Sequence, residues 1–294
     1  MEKKNKTALL LFLLLDLALL AVAAYFVFRP EFNFGNFDLL TPKGVIAQKQ
    51  LSLLVTVTLI MLCIVIPVFA LLIYTVWKFR AGKNTTQSEA AAGSLKKEFL
   101  LWVGPAFIIF IISIINWKST HELDPYRPIA SVNEPVTIQV VALRWKWLFI
   151  YPKEKIATVN FIEFPENTPV VFELTADDAP MNSFWIPQLG GQMYAMAGMS
   201  TKLNLMANQT GEFKGSAADI SGFGFAGMRF KAKSVTKEEF ENWVKNIKAS
   251  SAELNSATYS ELLKPSENNQ PAVYSTAEEG LYDTIVMKYM KPIE

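Results

Sequence analysis

Residues 136–151 read VTIQVVALRWKWLFIY, and this stretch decides what kind of domain the chain carries. β-Branched and aromatic residues crowd it, which suits a pleated, half-buried surface. It reads as two strands, VTIQVVAL (136–143) and RWKWLFIY (144–151). Similar short runs recur at TPVVFELTA (168–176), STKLNLMA (200–207) and MRFKAKS (228–234). Pro152, Pro165-Glu166-Asn167, Gly190-Gly191 and Gly211 supply the turns between them. Many short strands with frequent turns predict an antiparallel sandwich or barrel. Trp145 and Trp147, two positions apart, are expected on one face of a strand as core and interface residues. Helical pattern returns at TKEEFENWVKNIKAS (236–250), where Thr236 followed by Glu239 predicts a capping box. Beyond 250 the chain is polar with weak periodicity, and only a short helix near 278–290 is expected.

Upstream of the strands the chain changes character. Three apolar runs stand at residues 7–28, 51–77 and 99–117, of 22, 27 and 19 residues. A helix needs roughly 20 residues to cross the hydrocarbon core, so all three have spanning length. The second would extend about 40 Å, so it tilts or projects past the bilayer. Pro67 and Pro105 inside the runs are tolerated where neighbours re-satisfy the freed carbonyls. The first run reads either as an uncleaved anchor or as a signal segment, with Lys3, Lys4 and Lys6 as its basic region and Ala21-Val22-Ala23 as a cleavage site. The anchor is therefore two or three spans. Lys78, Arg80, Lys83, Lys96 and Lys97 place the 78–98 loop in the cytoplasm, with an uncleaved N-terminus beside it. Residues 118–294 are then delivered to the outer face. The resulting layout is 1–30, a span or signal; 31–118, a helical hairpin; 119–250, the β domain; and 251–294, a C-terminal extension.

Composition narrows the chemistry. Half of the 294 residues are hydrophobic (51%), as membrane spans require, and a net charge of +1 gives no field to draw nucleic acid. One cysteine, Cys63, and one histidine, His121, exclude an internal disulfide and a four-ligand Cys/His zinc site. They read as a buried thiol and a surface imidazole rather than a dyad. No nucleophile–base pair, phosphate loop or metal cluster marks an independent enzyme.

Longer stretches carry a resemblance. VALRWKWLFIYP, then IATVNFIEFPENTPVVFELTADDAPMNSFWIPQLGGQMYAMAGM and SGFGFAGMRFKAKS, with LLTPKG (39–44) and WKSTHELDP (117–125), resemble subunit II of the cytochrome bo-type ubiquinol oxidases. The resemblance covers roughly residues 40–250. It implies a transmembrane helical anchor of two spans carrying an exported all-β, cupredoxin-like barrel in the bacterial inner membrane, on its periplasmic face. The first apolar run departs from the best-known members, which look lipid-anchored.

The wider family includes cytochrome c oxidase subunit II, whose barrel holds a dinuclear copper centre. Against that pattern, Asn182 stands at the first histidine position, Ala217 and Ser221 replace the two cysteines, and Phe225 replaces the second histidine. Asp219 takes the glutamate position, and Met228 alone keeps its identity. Such a centre needs two bridging thiolates, because soft sulfur stabilises mixed-valence copper. The resemblance thus implies no cofactor in this chain, haems and copper in a partner subunit I, and electrons from quinol reached through subunit I. Subunits III and IV and membrane lipid complete the implied partners. A free-standing, membrane-tethered binding module is the competing reading.

Several further residues invite a role. In the resembling family an acid like Glu98, at the start of the third run, lies at the mouth of a proton channel. The plain alternative is a helix N-terminal acid favoured by the dipole. Asp16, mid-way through the first run, would cost roughly 2.5–3.5 kcal/mol to insert, so a partner helix, protonation or cleavage of the segment must account for it. Met193, Met196 and Met199 have the spacing of a thioether copper(I) site; adaptable packing against a partner is the leading reading.

Overall fold

A computed structural model describes residues 37–79 and 95–290, with the side chains of 95–98, 100 and 101 left aside. The 7–28 run, its Asp16 and the 80–94 loop lie outside the described residues. The described residues form two compact units, one of residues 52–79 with 95–122 and one of residues 37–51 with 123–290.

The first unit consists of helical chain. Helix α1 spans Val45–Lys78 and α2 spans Leu95–Glu122, with Pro67 and Pro105 inside them. Both carry segments long and apolar enough to cross a membrane, Val45–Lys78 and Trp102–Glu122. Hydroxyls that would be stranded in lipid turn back onto their own helix: Thr56, Thr58, Thr75 and Ser113 each donate to the carbonyl four residues earlier. Cys63 sits mid-way along α1, within its spanning segment. It lies on a face of α1 left uncovered by the other described residues, on a helix that presents apolar side chains outward all round.

The second unit is a two-sheet sandwich. Its strands are β1 (Val136–Leu143), β2 (Lys146–Tyr151), β3 (Ile156–Val159), β4 (Phe161–Pro165), β5 (Val170–Ala176), β6 (Asn182–Trp185), β7 (Met193–Ala195), β8 (Thr201–Leu205), β9 (Gly211–Ala217) and β10 (Arg229–Val235). Helix α3 (Lys237–Lys248) follows, then β11 (Glu253–Leu254), α4 (Ser256–Leu263), β12 (Ala272–Tyr274), β13 (Thr276–Ala277) and α5 (Leu281–Lys288). One sheet runs β12-β3-β2-β1-β5-β8 and the other β4-β10-β9-β6-β7.

The sheets are mixed, which corrects the all-antiparallel expectation. Val136 pairs with Val170 and Lys231 with Phe161 in parallel ladders. A parallel neighbour needs a crossover. The chain supplies the β1–β5 crossover by leaving for the second sheet at β4 and returning at β5.

Aromatic side chains from both sheets meet in the interior. Phe184 stacks on Phe230 at 5.0 Å between centroids, and Trp147 meets Phe184 edge-on at 5.4 Å. Strand β2 is buried on both faces, which explains its unbroken apolar run. Trp147, Phe149 and Tyr151 face the main core, while Leu148 and Ile150 face a second one.

That second core is built by the tail. Leu254, Tyr259, Leu281, Tyr282, Ile285 and Val286 cover Val141, Leu143, Leu148 and Ile150. The segment beyond 250 therefore packs as part of the sandwich and holds α4 and three short strands, β11, β12 and β13, beyond the one helix that periodicity showed. Its contacts are long-range, and local pattern does not register them.

Trp145 also departs from expectation. It occupies the two-residue β1–β2 turn with φ of 62°, outside any strand, whereas Trp147 is fully buried. The side chains share no strand face because pairing of Leu143 with Lys146 closes the hairpin between them.

Candidate functional site

Strands β6, β9 and β10 bring together positions far apart in the chain. Phe184 pairs with Ala217, the amide of Ala218 donates to the carbonyl of Ser183, and the amide of Ala217 donates to the carbonyl of Met228 at 3.1 Å. Continuing this register sets Asn182 opposite Asp219. The Asn182, Ala217 and Met228 positions thus meet at one end of the second sheet, and Asp219, Ser221 and Phe225 ride on the loop joining β9 to β10.

These side chains are an amide, a methyl, a carboxylate, a hydroxyl, a phenyl ring and one thioether. Asn182, Ala217, Ser221 and Met228 are buried. Asn182 donates from Nδ2 to the carbonyl of Pro180 at 2.7 Å. No thiolate or imidazole stands among them, and Cys63 and His121 are in the helices. A thiolate-bridged dicopper centre does not fit this donor set. Among the described residues no three His, Cys, Asp or Glu side chains group as a metal site.

Trp145 braces the loop. Its indole Nε1 donates to the carbonyl of Ser221 at 3.3 Å, and its ring lies against Phe223. Gly224 makes the approach possible: a Cβ there would stand 2.5 Å from the indole. The methionine triplet is dispersed in character. Met193 packs against the main core and Met199 is half exposed. Glu98 lies in the opening turns of α2, with its side chain outside the described residues.

One constellation is absent from the sequence reading. Asp177, just past β5, is buried beneath the tail and accepts three hydrogen bonds, from Tyr259 Oη at 2.5 Å, Tyr289 Oη at 2.6 Å and Lys288 Nζ at 2.8 Å. Burial pushes its carboxyl pKa up, but the hydrogen bonds of Lys288, Tyr259 and Tyr289 outweigh burial and hold it below the usual carboxylate value. The same contact raises Lys288, whose hydrogen bond to Asp177 is the chief cause. The available signal was compositional: Tyr259, Tyr274, Tyr282 and Tyr289, four of the nine tyrosines, fall after residue 250.

Two helices of membrane-spanning length and a two-sheet sandwich covered by an aromatic tail define a membrane-anchored β-sandwich protein. The model of the COX Aromatic Rich Motif matches residues 248–292, the tail itself. Cytochrome bo(3) ubiquinol oxidase subunit 2 of Pseudomonas aeruginosa is 49% identical over 265 residues, covering 88% of this chain and 79% of the relative. Ubiquinol oxidase subunit 2 of Acetobacter aceti is 43% identical over 256 residues, covering 86% and 82%. The chain belongs to the family of subunit II of the bo-type ubiquinol oxidases. Among solved structures, the periplasmic domain of subunit II of cytochrome oxidase of Bradyrhizobium japonicum is similar with a TM-score of 0.38 at 21% identity, over 41% of this chain and 96% of that one.

Proposed function

We propose that this subunit carries no redox centre and serves a proton-pumping quinol:oxygen oxidoreductase by stabilising and capping its catalytic subunit I. The observation that carries the reading is the side-chain chemistry at Ala217 and Ser221, where the copper-bearing pattern has two cysteines. Without that entry centre, electrons must come from a donor that reaches membrane-buried haems directly, and lipid-soluble quinol does so. Haems and copper then reside in subunit I, with subunits III and IV completing the assembly. The apolar length of α1 and α2 supports two spans, with a third where the 7–28 run is retained. The basic residues of the 78–98 loop support a cytoplasmic loop and a periplasmic sandwich in the inner membrane.

The test is oxygen uptake by the complex purified through a tag on this chain. Cyanide-sensitive uptake is expected with quinol and none with reduced cytochrome c. Turnover with cytochrome c would reject the copper-free reading, and absence of haem from the preparation would reject the assembly.

Glu98 is proposed to attract protons at the cytoplasmic end of α2, where an ionisable group at a membrane boundary is suited to the task. Glu98→Ala should slow quinol turnover several-fold with haem content unchanged, and unaltered turnover would dismiss the role.

A further inference from the structure

The face of the second sheet beside the degenerate ligand loop is cationic where pattern would favour neutrality. Lys231 on β10 stands directly opposite Lys214 on β9, and Arg229 lies two residues along on the same face. Like charges placed opposite one another across a ladder destabilise it. Lys231 is relieved in part by Glu212 at 3.0 Å. Lys214 and Arg229 have no ion-pair partner among the described residues.

All three basic side chains line one open groove of about 860 Å³. Phe225 and Pro187 give it an apolar side, and Asp38 is its one lining carboxylate. Pro187 and Asp38 tie the groove to the foot of the membrane helix. Beside Pro187, the carbonyl of Gln188 accepts from the amides of Lys43 and Gly44, and Ala47 donates to the carbonyl of Leu189. A Cβ on Gly190 would touch Ile46 of α1 at 3.3 Å. From Gly44 to Leu51, where the uncharged apolar run begins, is about 10 Å of helix.

We infer that this groove binds the headgroup of an anionic phospholipid, with Lys214, Arg229 and Lys231 on the phosphate and the apolar side against the glycerol and upper acyl carbons. Charge complementarity and the adjoining α1 select that occupant, since uncompensated cations attract an anionic headgroup within about 10 Å, a Debye length, at either face of a bilayer. The inference rests on α1 spanning the membrane and is independent of the electron donor. A free phosphate ion shares the headgroup chemistry but has no use for the apolar side.

The test titrates soluble short-chain phosphatidylglycerol, phosphatidylcholine and inorganic phosphate onto the detergent-solubilised oxidase complex, wild type and Lys214→Gln/Arg229→Gln. Saturable phosphatidylglycerol binding that the double variant weakens at least tenfold, with phosphatidylcholine much weaker on wild type, is the expected result. Equal phosphatidylglycerol binding by both proteins overturns the proposal. Inorganic phosphate binding as tightly as phosphatidylglycerol overturns the lipid reading and leaves a free-anion site. Should the double variant fail to assemble, Lys214→Gln alone, a change at an exposed side chain, carries the same comparison with a smaller expected loss. Recovery of the variant complex from the membrane fraction with quinol turnover intact would separate this groove from the anchor and from the proposed function.

Discussion

Tyr259 on α4 donates its hydroxyl to Asp177 at the end of β5 over 2.5 Å, joining segments 82 positions apart. With Tyr289 and Lys288 on the same carboxylate, this contact makes a buried acid a polar anchor of the tail, beside the apolar contacts of Leu254, Leu281 and Ile285. Hydrogen bonds to a charged group contribute about 1.5–3 kcal/mol, and a partner stranded after a deletion adds a desolvation cost. Asp177→Asn should therefore destabilise docking of the tail by about 1.5–3 kcal/mol. Limited proteolysis of the assembled complex reads this as faster cleavage between 251 and 290. Equal cleavage rates in variant and wild type would show that the apolar contacts suffice.

The same carboxylate sets a pH dependence. Its folded pKa is depressed, so its contribution is present above the unfolded value, about 3.9, and is lost as pH falls through the folded value. Tail protection in the wild type should decline below about pH 4. Other carboxylates titrate there too, so the decisive quantity is the difference between wild type and Asp177→Asn. That difference should be full at neutral pH and shrink with acid. A difference that stays constant down to pH 2 would contradict the linkage.

The α3 boundary gives a simpler expectation. Thr236 accepts from the amide of Glu239, and the Glu239 carboxylate accepts in return from the amide of Thr236, a reciprocal box. Thr236→Ala removes the cap and should cost about 1 kcal/mol. The helix keeps its buried face of Phe240, Val244 and Ile247, so the loss should appear as faster amide exchange in its first turn, with the last turn unmoved. Uniform change along α3 would point instead to lost packing.

How far the sequence revealed all this depended on the range of the interactions involved. Strand β1 falls at Val136–Leu143 as its β-branched run predicts, and α3 starts at its capping box, because both signals are local. Lys146, charged yet buried, escapes any pattern reading: its Nζ reaches the carbonyl of Lys264 in the tail at 2.9 Å. The tail was illegible for the same reason. Its helices are short, and their apolar residues acquire meaning only against Val141 and Leu143 of β1 and Leu148 and Ile150 of β2. At the loop joining β9 to β10, resemblance supplied the positions and the β6–β9–β10 pairing gathers Asn182, Ala217 and Met228. The brace at Trp145 was missed because a tryptophan at positive φ in a two-residue turn has little precedent in propensity.

That brace supports the most discriminating prediction. Gly224 has φ of −88°, a backbone any residue tolerates, so its requirement for glycine is purely one of space. The space is taken by the Trp145 indole, 2.5 Å from where a Cβ would stand. Gly224→Ala should push the indole away, weaken its hydrogen bond to the Ser221 carbonyl, and cost about 1–3 kcal/mol, the usual range for overpacking. Trp145→Ala should also destabilise, by loss of the same packing. In the Trp145→Ala background, Gly224→Ala should then be nearly neutral, because the clash partner is gone. Residues in contact couple in this way, and a double-mutant cycle on thermal unfolding of the complex measures the coupling. Additive effects would mean that Gly224 is held by something other than Trp145, and the loop would need another brace.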